Sequence, residues 1–228
     1  MWYNEGRGTR RVSRRHAVST PRILVTGFEP FAQRTHNPSQ RAVERLLRRP
    51  PRGAQVEGRI LPVDTERAVA FLLEAVEEVR PQAVVCLGEA PGRPAICLEQ
   101  VAVNLLEFPI ADNAGHQPQG EPVVAGGPAA YFATLPLRAM QAAMRRAGVP
   151  AVLSLSAGAY LCNQVMYALL HHLASRPAPV PAGFIHLPAL PEEEAARDRP
   201  GPSMHLTLAV RGVRVGLEVL AADLGATP

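Results

Sequence analysis

The chain predicts an α/β protein of three layers, α/β/α, with a central twisted, mostly parallel sheet flanked by helices. Two observations carry this expectation. Short apolar runs alternate along the chain with longer stretches whose apolar residues recur every three or four positions, the signature of strands alternating with helices. The runs at Ile23-Leu24-Val25 and at Ala83 to Leu87 contain no polar residue, as expected of strands covered on both faces.

Each element follows from local chemistry. The first run ends at Thr26-Gly27 and reads as a buried strand. Asn37-Pro38 then marks a helix start, with Asn as the cap and Pro in the first turn. Ala42, Val43, Leu46 and Leu47 form that helix's apolar face, and Pro50-Pro51 stops it. A strand is expected over residues 56–61. Asp64 or Thr65 can cap the next helix, whose stripe is Val69, Leu72, Leu73, Val76 and Val79. A strand over 83–87 is followed by an alternating extended segment, 96–104, and a Gly/Pro/Asn-rich loop to about residue 128. Residues 137–147 read as helix, 151–155 as strand, 160–174 as helix, 183–187 as strand and 204–224 as a final amphipathic helix. No internal repeat or interdomain linker interrupts the series. One domain, residues 22–228, is expected.

Composition narrows the function. Hydrophobic residues make up 47 % of the 228 and charged residues 19 %, a globular and not a disordered balance. No apolar run reaches the ~18 residues of a membrane helix, so no membrane partner is expected. All 24 basic residues are arginine, which excludes Schiff-base chemistry and the lysine-bearing phosphate loop. Six of the arginines lie in residues 1–22 against the single acid Glu5, so the tail carries more than the whole formal charge of +4. A nucleic-acid-binding domain spreads basic residues over its folded surface; this body is net negative, and no nucleic-acid partner is expected. Residues 1–21 read as a disordered Arg-rich extension without the apolar core of a secretory signal. With Cys86, Cys97 and Cys162 an odd, irregularly spaced set, a reducing cytoplasm is the default compartment.

Parallel sheets gather their working groups at strand ends and the helix starts that follow. Cys162 lies where the predicted strand 151–155 gives way, through Ser156-Ala157-Gly158-Ala159-Tyr160, to a helix. Free N–H groups and the positive dipole end there favour a thiolate and an oxyanion. His186, ending the run Phe184-Ile185-His186-Leu187, is the best-placed proton acceptor, and Glu99, a carboxylate within an apolar stretch, can orient it. Cys86 and Cys97 sit mid-strand and read as inert, and His171 and His172 as packing or surface residues. No His/Cys/Asp/Glu group has zinc-ligand spacing, so no metal is expected.

At these residues the sequence resembles the pyroglutamyl peptidase I family of cysteine exopeptidases. The likeness spans about residues 23–191: Thr26-Gly27-Phe28-Glu29-Pro30-Phe31 with Asn37-Pro38, Gly92-Arg93 to Glu99, Val101-Ala102-Val103-Asn104, Asp112-Asn113, Ser156-Ala157-Gly158, Cys162-Asn163, and Gly183-Phe184-Ile185-His186-Leu187-Pro188. The resemblance implies Cys162 as nucleophile, His186 as base and Glu99 as orienter, acting on N-terminally pyroglutamylated peptides with no metal or organic cofactor. It also implies a homotetramer, and a lactam pocket walled by Phe28, Phe31 and Tyr160, with Glu89 beside the ring. Four positions depart from the family pattern. Glu89 stands where glutamine is usual, Pro109 replaces an arginine expected near the sulfur, Gln100 replaces a basic residue and Ala32 replaces a glycine. They leave open a related hydrolase with an altered pocket, or a binding protein that has lost catalysis.

Overall fold

A computed structural model describes residues 20–31 and 34–226; the proposed extension up to residue 19 and the departure at Ala32 lie outside the described residues. Its centre is a six-stranded sheet. In chain order the strands are β1 (Arg22–Phe28), β2 (Gln55–Leu61), β3 (Ala83–Glu89), β4 (Ile96–Glu99), β9 (Ala151–Ser154) and β10 (Ala182–Leu187), and across the sheet they run β2-β1-β3-β10-β4-β9. All pairings are parallel except β10 with β4. The sheet is thus mostly parallel, as expected, with β4 and β9 reversed together at one side. The central strands β3 and β10 are buried almost throughout, whereas edge strand β2 is largely half-exposed, the difference two covered faces and one open edge produce.

Helices cover both faces. One face holds α1 (Pro38–Arg48), α3 (Leu137–Arg146) and α6 (Leu206–Ala226); the other holds α2 (Arg67–Val79) and α4 (Leu161–Ala174). Residues two apart share a face. Ile23, Val25, Val85, Leu87, Ile185 and Leu187 therefore pack under the first set, and Leu24, Val84, Cys86 and Phe184 under the second.

Local signals act as anticipated at the helix starts. Asn37 caps α1: its Oδ1 accepts from Ser39 N at 2.9 Å, while its Nδ2 donates to the Glu29 carbonyl. Asp64 serves α2, its Oδ1 accepting from Glu66 N and Arg67 N at 2.9 Å. Within α1, Ala42, Val43 and Leu46 are buried, but Leu47 is 47 % exposed, so the apolar face is narrower than its spacing indicated. Gly27 is required where β1 crosses α1, because a Cβ there would stand 2.7 Å from the Ser39 carbonyl carbon.

Two features escaped the sequence reading. The segment expected as one extended piece breaks after Glu99 into β4 and β5 (Val101–Val103), and the long loop contains β6 (Leu106–Glu107), β7 (Gln119–Glu121) and β8 (Ala130–Phe132) in two small antiparallel ladders. A five-residue helix, α5 (Pro191–Ala195), follows β10. Runs of only two to five residues carry no readable period, and their partners are distant in sequence. Among the described residues no helix is long and apolar enough to cross a membrane.

Candidate active site

Cys162, His186 and Glu99 converge on one face of the sheet. Cys162 is the second residue of α4, whose start is turned by Gly158 at φ +84°. In a helix start the N–H groups of Leu161, Cys162 and Asn163 have no acceptor inside the helix. The sulfur lies over the β3–β10 pair: a Cβ on Gly88 would stand 3.0 Å from Cys162 Sγ and 2.7 Å from the Phe184 ring. Gly88 is the register partner of His186 on β10, and Phe184 and His186 share a face, their rings 4.8 Å apart. Any side chain at position 88 would push into the sulfur, so the close approach demands glycine.

Behind the imidazole is Glu99, the last residue of β4 and fully buried. The alternation that suggested a strand put Glu99 on the same face as Cys97. That face turns out to be the α4 side and not solvent, because Ile96 and Leu98 fill the opposite core. Glu99 Oε1 lies 2.8 Å from His186 Nδ1 and 2.9 Å from Arg93 Nη1, and Arg93 also reaches Ser154 Oγ at 3.3 Å. A carboxylate can only accept, so Nδ1 carries the ring proton and Nε2 is left bare. Glu99 Oε2 is buried with no hydrogen-bond partner among the described residues.

The thiol's electrostatics differ from the expectation of a resting thiolate. Cys162 keeps part of its surface open to the cavity, yet burial of its sulfur pushes the thiol up to about 12, with the negative charge of Glu99 adding to the rise. The helix start pulls the other way and loses. With Pro109 in the cavity wall, no arginine occupies that position, and both nearby guanidinium groups face carboxylates. The free thiol is therefore protonated at neutral pH, and its proton must move to His186 when it attacks.

Beside the sulfur opens a cavity of about 370 Å³ lined by Phe28, Phe31, Arg34, Asn37, Val63, Glu89, Pro91, Pro109, Ile110, Tyr160, Leu161 and Cys162. All four residues expected of a lactam pocket line it. Tyr160 packs between Phe31 and Phe108, with ring centroids at 5.6 and 4.2 Å, and its hydroxyl donates to the Ala111 carbonyl at 3.4 Å. Its extra oxygen is thus turned aside and the ring face is kept. Arg34, which motif spacing had not singled out, forms an ion pair with Glu89. Gln100 does not line the cavity, and lies instead along a groove with Phe132 and Leu135.

The remaining candidates settle elsewhere. Cys86 is buried and its thiol is pushed up to about 12 by desolvation, while Cys97 Sγ lies 3.5 Å from the Ala95 carbonyl. His171 bonds to the Tyr131 hydroxyl at 2.8 Å and His172 to Glu77 at 2.9 Å. The fold does bring Asp64, Asp112 and His116 together, with one ligand atom of each within 4.8 Å of the others. The Asp112 carboxylate is committed to N–H groups of Thr65, Ala114 and His116 and to the Thr65 hydroxyl. That is turn-stabilising chemistry, which spacing could not reveal because Asp64 and Asp112 are 48 residues apart.

A thiol at a helix start, an imidazole with one nitrogen bare and a buried carboxylate on an α/β/α sheet form the kind of site found in cysteine peptidases. The sequence profile described as pyroglutamyl peptidase matches residues 21–223, and this chain belongs to that family. It is 50 % identical to the pyrrolidone-carboxylate peptidase of Gloeobacter violaceus over 202 residues, covering 89 % of this chain and 98 % of the relative. It is 41 % identical over 206 residues to the enzyme of that name from Pyrococcus furiosus, covering 89 % and 99 %. Among solved structures, the pyrrolidone carboxyl peptidase of Thermococcus litoralis superposes with a TM-score of 0.86 at 38 % identity, covering 90 % and 94 % of the two chains. Pyroglutamyl peptidase I of Bacillus amyloliquefaciens does so at 0.85 and 35 %, covering 89 % and 97 %.

Proposed function

We propose that this protein is a cysteine exopeptidase that removes an N-terminal pyroglutamyl residue from peptides, with Cys162 as nucleophile, His186 as base and acid and Glu99 as the orienting carboxylate. The observation that carries the reading is the 2.8 Å contact between His186 Nδ1 and buried Glu99, on the sheet face where Cys162 meets an aromatic-walled cavity. That contact leaves Nε2 to receive the thiol proton as sulfur bonds to the pyroglutamyl carbonyl carbon. N–H groups at the start of α4 meet the oxyanion so formed. Collapse breaks the C–N bond, the amine leaves with the proton from His186, and a thioester remains. Water, giving its proton to His186, then cleaves the thioester and releases pyroglutamate and the free thiol.

The pocket suits that substrate. A lactam ring is small, flat and uncharged, and Phe28, Phe31 and Tyr160 offer it aromatic faces. The direct test is turnover of a chromogenic pyroglutamyl amide under reducing conditions. The full chain and a chain beginning at Pro21 should both hydrolyse it, the second because residues 22–228 act as one domain. An amide left untouched by the full chain overturns the reading.

A thiol nucleophile works where thiols stay reduced, which supports the cytoplasm as the site of action. Assembly as a homotetramer is supported by the family resemblance and by the surface apolar side chains of Phe132 and Leu155, each 75 % exposed, which burial between copies would remove from water. Sedimentation equilibrium should return four times the 24.5 kDa chain mass; a monomer mass overturns it.

A further inference from the structure

The polar end of the cavity holds Arg34 and Glu89, and behind them, outside the lining, stands the carboxylate of Glu193. Arg34 enters from the loop before α1, pairs with Glu89 Oε1, and stands 3.7 Å from Glu193 Oε2. Glu193 belongs to α5, the short helix invisible to pattern reading. Its Oε2 accepts from Leu190 N at 3.1 Å, whereas its Oε1 is buried with no hydrogen-bond partner among the described residues. The side chains are enclosed: Glu89 is 10 % exposed, Glu193 11 % and Arg34 22 %.

Two ionised carboxylates against one guanidinium would leave a net negative charge in the wall of a largely apolar cavity, together with an unsatisfied buried oxygen. Both are costly. In the free protein one proton corrects both, since it makes the trio neutral and can give the orphaned oxygen a donor.

We propose that Glu89 and Glu193 hold one proton between them, and that a bound lactam draws it from Glu193 to Glu89, whose O–H then donates to the ring carbonyl and selects the uncharged ring. The inference rests on the pyroglutamyl reading of the cavity and adds to it the protonation state, together with Arg34 and Glu193 as the residues that set it. It also accounts for how a glutamate can serve where the family uses glutamine: a protonated carboxyl, like an amide, offers both a donor and an acceptor, and an ionised one only acceptors.

The groups facing Glu89 agree. Burial raises its carboxyl most, the Glu193 charge from α5 raises it further, and Arg34 lowers it, for a net value of about 7. Cys162 on α4 and Tyr160 before it are the other titratable groups lining the cavity, both raised by burial and uncharged at neutral pH. His186, on the strand beside Glu89, is turned to Glu99.

The test is calorimetric binding of an uncharged pyroglutamyl dipeptide amide to the Cys162→Ala protein, in which no turnover occurs. Kd should be flat below about pH 7 and rise by up to tenfold per unit above it, as the donor is lost. Glu89→Gln in the same background should bind with a pH-independent Kd, because the amide keeps its donor at every pH. Glu193→Gln should move the break to lower pH, because the charge that raises Glu89 is gone. Binding that stays flat from about pH 6 to 9 in Cys162→Ala, or a break that survives Glu89→Gln, overturns this inference and leaves the peptidase reading intact. Absence of binding at every pH overturns both.

Discussion

Cys162→Ala should lower kcat on a pyroglutamyl amide by roughly 10⁴-fold or more, to the level of water-limited hydrolysis in the pocket. The loss is total in kind because only the sulfur forms the covalent bond, and neither Cys86 nor Cys97 opens to the cavity. The structural cost should be small. The side chain loses one atom, which packs beside Gly88 and Phe184, so the melting temperature should change by only a few degrees. Ligand binding should survive, since the aromatic walls and the Arg34–Glu89 pair are untouched. Equal turnover by the variant and the parent would remove Cys162 from the chemistry.

Glu99→Gln should lower kcat by about 10³–10⁴-fold while KM stays within a few-fold of the parent value. The substitution conserves shape in a fully buried position and removes the charge. Two things then fail together. An amide can present either its oxygen or its N–H₂ to His186 Nδ1, so the tautomer with Nε2 bare is no longer enforced. The imidazolium formed when the thiol gives up its proton also loses its counter-charge in a desolvated site. Because Cys162 rests as a thiol pushed up to about 12, that proton transfer is an uphill step, and weakening His186 raises the barrier directly. Arg93 would be left beside a neutral group, but its guanidinium is 37 % exposed and can turn to water. A kcat within tenfold of the parent would show that Glu99 is structural.

Much of the fold was legible from period and punctuation. Continuous apolar runs marked β1 and β3, and Asn37-Pro38 and Asp64 marked helix starts, because capping is a local contest for a few N–H groups. Cys162 and His186 were legible as a thiol at a helix start and an imidazole at a strand end. Glu99 was the harder case: alternation alone allowed it to face water, and only the helix packed over that face buries it. The short strands between Leu106 and Phe132, and helix α5, were illegible because so few residues carry no periodicity.

Sequence alone determined the order of the elements, the chemical kinds of residue at the strand ends and helix starts, and the family likeness, all of which depend on neighbours within a few positions or on motif identity. Tertiary structure decided what depends on residues far apart in the chain. It brought Arg34 to Glu89 and Glu193, buried Glu99 against His186, and enclosed Cys162 so that its thiol stays protonated. The physical reason is that protonation and charge pairing respond to desolvation and to distances of a few ångströms, and no spacing along a chain specifies either.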